Sequence, residues 1–148
     1  MKLSEKFIVK NLDDLKKIAH AFIDTLTPLE QGATIIALKG NLGAGKTTFT
    51  QHVARYLEVE ETVTSPTFVL EKIYRLSHKK FDFLIHIDAY RLESARELEV
   101  LGWREIIENP KNLIMLEWPE RVQEILPENI HIVSFTFIDE TTREITIN

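Results

Sequence analysis

Apolar side chains recur along the chain at helical spacing in two places. Residues 12–26 repeat them every three or four positions, which is typical of a helix with one buried face. Asn11 precedes this run and predicts the helix N-cap, and Asp13 and Asp14 fall in the first turn, where the helix dipole favours negative charge. A second run, at residues 49–57, shows the same spacing. The pattern therefore predicts two amphipathic helices in the first half of the chain.

The run at residues 34–38 is short, apolar and rich in β-branched residues, which predicts a strand covered on both faces. Residues 81–87 and the compact apolar run at 113–116 predict two further strands. A more mixed run at 68–76 predicts a further strand, and HIVSFTFI and REITI on either side of DETT predict a C-terminal hairpin. Residues 94–101 predict a helix that stops at Gly102. Alternating strands and helices followed by an antiparallel end favour an α/β fold with a largely parallel, mixed sheet.

Length and composition narrow the class of protein. At 148 residues the chain is expected to form a single domain, residues 1–148, with a substantial core. The net charge of −5 gives no general attraction to nucleic acid, and the absence of cysteine excludes disulfides and thiol catalysis. The first ten residues do not resemble a signal peptide, and no apolar run approaches the roughly 20 residues that span a bilayer. We therefore expect a cytoplasmic protein without a membrane partner.

The stretch GNLGAGKTT follows the predicted strand at 34–38 and precedes the predicted helix at 49–57. Gly40, Gly45, Lys46 and Thr47 fit the pattern G-x-x-x-x-G-K-[ST] of the phosphate-binding loop. In such a loop backbone N–H groups surround a phosphate, the lysine contacts the outer phosphates and the hydroxyl binds Mg²⁺. The alternative is a flexible glycine-rich turn, but the flanking strand and helix favour a nucleoside triphosphate site. The predicted contacts here are Asn41, Leu42, Gly43, Ala44, Gly45, Lys46, Thr47 and Thr48.

Two acidic residues each end an apolar run, and both are candidates to assist Mg²⁺. Asp88 ends LIHID and Glu117 ends LIMLE, so both are expected at the carboxyl edge of the sheet, where ligands bind in open α/β folds. Either residue could instead be a solvated strand end or the cap of a following helix. The polar segment 64–67, Thr-Ser-Pro-Thr, lies between a helix and a strand, where nucleotide-sensing switches occur, although alone it is also a turn.

Five segments occur together in one order: GNLGAGKTTF, TSPTF, HIDAYRL, ELEVLGW and EWPE. In this order and spacing they resemble the bacterial TsaE family, also called YjeE, and the resemblance covers nearly the whole chain. Asn41 is a minor departure, because the family often has an acidic residue there. The resemblance implies a P-loop NTPase-like three-layer domain that binds ATP and Mg²⁺.

The resemblance also implies a biological role. Proteins of this family are small ATPases required for N6-threonylcarbamoyladenosine at position 37 of tRNAs that read ANN codons. They act with the TsaB–TsaD pair, in which TsaD transfers the threonylcarbamoyl group, and are thought to reset that complex between turnovers. The partners implied for this chain are therefore TsaB and TsaD, with tRNA met only through the complex.

Residue roles follow from the positions that match the family motifs. Lys46 would bind the phosphates, and Thr47 and Glu117 would coordinate Mg²⁺. Asp88 would contact the metal through water. The switch would comprise Ser65, Pro66 and Thr67, with Thr67 or Ser65 sensing the γ-phosphate. The catalytic set implied is Lys46, Asp88, Glu117 and Thr67. Adenine would lie between the start of the first helix, near Leu12, and the final hairpin, near Thr142 and Arg143, and Trp118 would either stack near the site or pack in the core.

Two other classes of protein share parts of this pattern. A signalling GTPase should show Asp-x-x-Gly and Asn-Lys-x-Asp, but Ala-Tyr-Arg follows Asp88 and no Asn-Lys-x-Asp occurs in the chain. A small-molecule kinase would need a lid with arginines, for which Arg91, Arg96 and Arg104 are available. These arginines lie among glutamates, which favours a surface helix with paired charges. A nucleotide panel tests the first alternative and a phosphoryl-acceptor screen tests the second.

The first testable prediction concerns Lys46, the lysine of the phosphate-binding pattern. Lys46→Ala removes charge-assisted hydrogen bonds worth about 1.5–3 kcal/mol each. ATP affinity or turnover should therefore fall by more than about tenfold, by the usual conversion of free energy to affinity, while the fold survives. Unchanged ATP binding and hydrolysis in a correctly folded variant would contradict the assignment of the loop.

Overall fold

The secondary structure comes from a computed structural model that describes residues 5–41, 44–61, 71–77 and 80–148. The strands are β1 Glu5–Val9, β2 Thr34–Lys39, β3 Glu71–Arg75, β4 Phe83–Asp88, β5 Asn112–Glu117, β6 His131–Asp139 and β7 Thr142–Ile147. The helices are α1 Leu12–Thr25, α2 Lys46–Tyr56, α3 Ala95–Val100 and α4 Trp103–Glu108. Two short 3₁₀ turns, Pro119–Arg121 and Gln123–Ile125, follow β5.

The seven strands form one mixed sheet in the order β1-β7-β6-β2-β5-β4-β3. The four central strands β6, β2, β5 and β4 are parallel, whereas β3 and the pair β7 and β1 add antiparallel strands at the two edges. The predicted α/β class with a mixed sheet and a C-terminal antiparallel hairpin is thus confirmed. The parallel centre directs the carboxyl ends of β2, β4 and β5 to the same edge of the sheet.

Each face of the sheet carries its own hydrophobic core, which gives the fold three layers. On β2, Ile36 and Leu38 face the core shared with α1 and α2, whereas Ile35 faces the core shared with α3 and α4. This alternation follows from the period of two along a strand. Because both faces are covered, β2 reads as a continuous apolar run, as the sequence predicted.

Helix α1 begins where the sequence predicted it. The Asn11 side chain accepts a hydrogen bond from the backbone N–H of Asp14 at 2.8 Å, and Asp14 in turn accepts from the N–H of Lys10 at 3.1 Å. The helix buries Leu15, Ala19 and Ile23 along one face, as the spacing predicted. With 14 residues it is the longest described helix, and no described helix is both long and apolar enough to cross a bilayer.

Two elements were not predicted from the pattern. Strand β1 has three contiguous apolar residues at one edge of the sheet, so it shows neither alternation nor a long apolar run. Helix α4 is only six residues long, too short for its periodicity to be recognised. Gly102 does adopt the predicted left-handed conformation, with φ +90°, and it also begins α4. Of the strand predicted at 68–76, the described part is β3, and residues 68–70 lie outside the described residues.

A buried histidine of α2 should make the stability of the fold depend on pH. His52 of α2 is buried, and neither ring nitrogen has a hydrogen-bond partner among the residues that the structure describes. Burial lowers the pKa of His52, and the nearby positive charges of Arg55, His20 and Lys16 lower it further. The neutral imidazole is therefore the form that the folded core accommodates.

The second testable prediction is a dependence of stability on pH that originates at His52. Because its pKa is lower in the folded state than the ordinary value of 6.5, the unfolded chain takes up a proton first as the pH falls. His52→Leu removes this penalty, so the variant should gain stability relative to the native protein between about pH 7.5 and pH 5. Urea unfolding at several pH values measures the difference. A difference in free energy of unfolding that does not change with pH would refute this origin.

Candidate functional site

The glycine-rich loop, residues 40–45, connects β2 to α2 at the carboxyl edge of the sheet. Gly40 has φ +151°, and a Cβ there would lie 3.0 Å from the carbonyl oxygen of Phe135, so no side chain is accommodated. Gly45 has φ +107° and is the N-cap of α2. Glycine offers no capping side chain to the first-turn N–H groups of α2, an arrangement that suits an anion. Leu42 and Gly43 lie outside the described residues.

Lys46 is the first residue of α2 and is 4% exposed. Its ammonium donates a hydrogen bond to the carbonyl oxygen of Gly40 at 2.6 Å and lies 3.8 Å from the centroid of the Trp118 ring. Burial lowers the pKa of Lys46, whereas the negative charges of Glu117, Asp88 and Glu120 oppose that shift. A buried cation is thus held at the mouth of the loop by a carbonyl, an aromatic face and nearby carboxylates.

The two candidate carboxylates are brought side by side by the register of the sheet. Asp88 and Glu117 are paired positions at the ends of the parallel strands β4 and β5, and Glu117 also pairs with Leu38 of β2. Glu117 is buried, whereas Asp88 is partly exposed. Burial raises the pKa of Asp88, the negative charge of Glu117 adds to the rise, and a hydrogen bond from the N–H of Tyr90 to Asp88 Oδ1, at 3.0 Å, opposes it.

A buried histidine that was not predicted as a site residue from the sequence completes this group. His86 Nε2 lies 2.6 Å from Glu117 Oε2, and both side chains are buried. A sequence signal for it existed, because His86 precedes Asp88 by two positions in a strand and therefore lies on the same face. The structure thus gathers Lys46, Asp88, Glu117 and His86 into one cluster.

Trp118 follows Glu117 in a conformation that is rare for a residue with a side chain. Its φ of 59° and ψ of 52° fall in the left-handed region, which costs about 1–3 kcal/mol for a residue other than glycine. The turn places the indole against the Lys46 ammonium and 5.0 Å from the Tyr90 ring, measured between ring centroids. The ring also packs, partly buried, against the core shared with α3 and α4, so Trp118 contacts both the site and the core.

A cavity of about 330 Å³ lies between the start of α1, the glycine-rich loop and the final hairpin. Of the predicted contacts, Leu12, Ala44, Gly45, Thr48 and Arg143 line it. Thr142 does not, although its neighbour Thr141 does. Val9, Phe135 and Ile145 add an apolar wall that the sequence analysis did not anticipate. The volume falls at the lower end of the roughly 300–1,000 Å³ typical of small-molecule sites.

Some of the remaining predicted residues lie in the part of the chain that the structure describes, and others lie outside it. Thr47 is the second residue of α2 and Asn41 is exposed, with its carbonyl accepting from the N–H of Ala44 at 3.1 Å. The predicted switch residues Ser65, Pro66 and Thr67 lie outside the described residues. In the described part of the chain no three His, Asp or Glu side chains form a metal site by themselves. A Mg²⁺ site does not require this, because Mg²⁺ commonly uses one or two carboxylates together with phosphates and water.

Fold and site together define a class: α/β proteins in which a glycine-rich loop joins a central parallel strand to a helix, with acidic residues at the same edge of the sheet. Within that class the chain belongs to the TsaE family. The family model described as "Threonylcarbamoyl adenosine biosynthesis protein TsaE" matches residues 9–145. The resemblance seen in the sequence is thereby confirmed.

Relatives along nearly the whole chain agree with this assignment. Proteins named "tRNA threonylcarbamoyladenosine biosynthesis protein TsaE" from Rickettsia bellii and Aquifex aeolicus are both 34% identical, covering 95% and 99% of this chain and 92% and 98% of their own. The one from Treponema pallidum is 37% identical over 80% of this chain and 84% of its own. The crystal structure of Bacillus subtilis YdiB is similar with a TM-score of 0.77 and 27% identity, covering 99% of this chain and 86% of that one.

The third testable prediction concerns the two carboxylates. If Glu117 holds Mg²⁺, Glu117→Gln should weaken the Mg²⁺ dependence of nucleotide binding and reduce hydrolysis strongly, because it removes a negative charge beside the metal. Asp88→Asn should act in the same direction, but less if Asp88 acts through water. Nucleotide binding and hydrolysis are measured across a Mg²⁺ titration.

Glu120→Gln is the matched control for this experiment. Glu120 lies three residues beyond Glu117, is exposed, and also contributes negative charge near Lys46. Its replacement removes the same charge without removing a proposed ligand, so the Mg²⁺ dependence should change little. Normal hydrolysis by Glu117→Gln across the titration would show that this carboxylate is only structural.

Proposed function

We propose that this protein is a Mg²⁺-dependent ATPase that takes part in forming N6-threonylcarbamoyladenosine at position 37 of tRNAs that read ANN codons, together with the TsaB–TsaD pair. Membership of the TsaE family and the names of the relatives support the pathway. The observation that carries the ATPase activity is the buried Lys46 held between the glycine-rich loop and the two strand-end carboxylates.

The residues present suit ATP. The open first turn of α2 and the Lys46 ammonium would bind the phosphates, because both offer positive charge and N–H donors at one point. The cavity lined by Leu12, Thr48 and Arg143 would receive the base and sugar. Arg143 is held in place by a hydrogen bond from Nη1 to the carbonyl oxygen of Asp139 at 2.6 Å, so this wall is organised in advance.

The residues present also suit Mg²⁺. Thr47, at the first turn of α2, would supply a hydroxyl ligand and Glu117 a carboxylate, with Asp88 supporting the metal through water. Mg²⁺ bound there would neutralise charge on the phosphates. This chain's own contribution is to hold two carboxylates in register at the edge of the sheet, where a divalent cation compensates their mutual repulsion.

Hydrolysis requires positive charge on the γ-phosphate in the transition state. Residues 40–48 contain Lys46 as their one cationic side chain and no arginine. An arginine from a second protein commonly supplies the missing charge in P-loop enzymes. We therefore infer slow hydrolysis by the protein alone and acceleration by the TsaB–TsaD pair, with hydrolysis resetting that complex between turnovers. The predicted switch, Ser65 to Thr67, would respond to the γ-phosphate.

The fourth testable prediction is control of the ATPase by its partners. Steady-state ATP hydrolysis should rise at least about tenfold when TsaB and TsaD are added, because an arginine supplied in trans is worth a factor of about 10³–10⁵ where it has been measured. The complex should also form more tightly with a non-hydrolysable ATP analogue than with ADP, since a ligand that favours the bound state is favoured by it in turn.

Two comparisons make the result decisive. Lys46→Ala, tested with the same partners, should lose the stimulated rate, and GTP in place of ATP should support less hydrolysis if the protein is an ATPase. Formation of threonylcarbamoyladenosine on tRNA by the reconstituted proteins should require this chain. Equal rates with and without the pair, together with nucleotide-independent association, would refute the proposed coupling.

A further inference from the structure

His86 is the polar residue of β4 that no predicted role uses. Strand β4 is otherwise apolar up to Asp88, with Leu84, Ile85 and Ile87 all buried. His86 is fully buried among them, and its Nε2 lies 2.6 Å from Glu117 Oε2 on the adjacent strand. The pair therefore lies at the edge of the sheet where Asp88 ends β4 and Glu117 ends β5.

The direction of this hydrogen bond follows from the chemistry of the two groups. A carboxylate accepts hydrogen bonds and an imidazole N–H donates them, so we assign Nε2 as the donor to Glu117 Oε2. The other ring nitrogen, Nδ1, is buried and has no partner among the described residues. Nε2 is therefore the ring nitrogen through which His86 contacts the carboxylate.

The contact with His86 constrains a carboxylate that lies close to the Lys46 ammonium. Asp88 and Glu120 also lie close to Lys46, so carboxyl groups outnumber the ammonium in this part of the site. The hydrogen bond also fixes the Glu117 side chain through one oxygen, which leaves the second oxygen for the site. Hydrogen bonds of this kind orient metal-binding carboxylates, and their loss typically costs about 10–100-fold in metal affinity or activity.

We propose that His86 is a positioning residue, whose Nε2–H holds one oxygen of Glu117 and presents the other to Mg²⁺. The inference rests on the proposed function, because it assigns His86 to the same metal site. A purely structural role does not account for the pair equally well. An apolar residue of similar size would fill β4 without leaving Nδ1 unsatisfied in the core.

The test separates metal binding from nucleotide binding. His86→Leu removes the donor, whereas His86→Gln retains an N–H donor at a similar distance from the backbone. Binding of a non-hydrolysable ATP analogue is measured by calorimetry in EDTA and across a Mg²⁺ titration. His86→Leu should bind the analogue like the native protein in EDTA but need about 10–100-fold more Mg²⁺ for its full effect. His86→Gln should recover most of the native Mg²⁺ dependence.

His52→Leu is the matched control, because it replaces another buried histidine, on which Arg55, His20 and Lys16 act rather than the two carboxylates. At about pH 7.5, where His52 is neutral in both states, it should leave the Mg²⁺ dependence unchanged. A folded His86→Leu with native Mg²⁺ dependence, or an equal shift in His52→Leu, would overturn the positioning role. A native protein that does not bind the analogue at all would instead refute the proposed function.

The hydrogen bond itself is tested without nucleotide. In ¹⁵N-labelled protein the His86 ring should carry a proton on Nε2, and Glu117→Gln should perturb the Nε2 signal. A ring protonated only at Nδ1 would overturn the proposal, whatever the binding data show.

Discussion

The parallel pairing of β2, β5 and β4 is the constraint on which the rest of the site depends. It brings Asp88 and Glu117 to adjacent positions and places both at the edge from which the loop leaves β2 for α2. Two carboxylates so close repel each other, and burial of Glu117 makes the repulsion stronger. The Lys46 ammonium and the partly exposed position of Asp88 each reduce that cost. A divalent cation, as proposed above, would reduce it further.

Several costly features lie at one edge of the fold, and others, such as the unpaired ring nitrogens of His52 and the positive φ of Glu58, lie elsewhere. Gly40 and Gly45 adopt positive φ, Trp118 is a left-handed residue with a large side chain, and Nδ1 of His86 is unsatisfied within the described structure. Elsewhere on the sheet, β2 and β5 bury apolar side chains on both faces. Strain and unpaired polar groups that cluster where a ligand would bind are expected of a functional site, because the surrounding core holds them in place.

The sequence predicts α1, β2 and the glycine-rich loop better than it predicts contacts between distant parts of the chain. The stripe of α1, the apolar run of β2 and the glycine pattern are each long or specific enough to be recognised alone. Asp88 and Glu117 could be predicted as neighbours because parallel strands end at one edge. The period of two places His86 on the same face as Asp88, but its contact with Glu117 could not be predicted, since a histidine in a strand gives no sign of what lies on the next strand. The role of Trp118 could not be decided from the sequence either, because its contact with Lys46 depends on a backbone turn that side-chain patterns do not encode.

The strands near the two ends of the chain matter because they line the cavity beside the glycine-rich loop. Val9 ends β1, Phe135 and Ile145 belong to β6 and β7, and all three line that cavity. The sequence of β1 shows no pattern that predicts a strand. Its pairing with β7 nevertheless brings Val9 opposite Arg143, the residue that the resemblance places near the adenine base. The pattern predicted to bind phosphate is therefore local in the sequence, whereas the wall proposed for the base rests on pairing between the two ends of the chain. Only the first is visible in a short stretch of sequence, because the second forms when residues more than a hundred positions apart come into register.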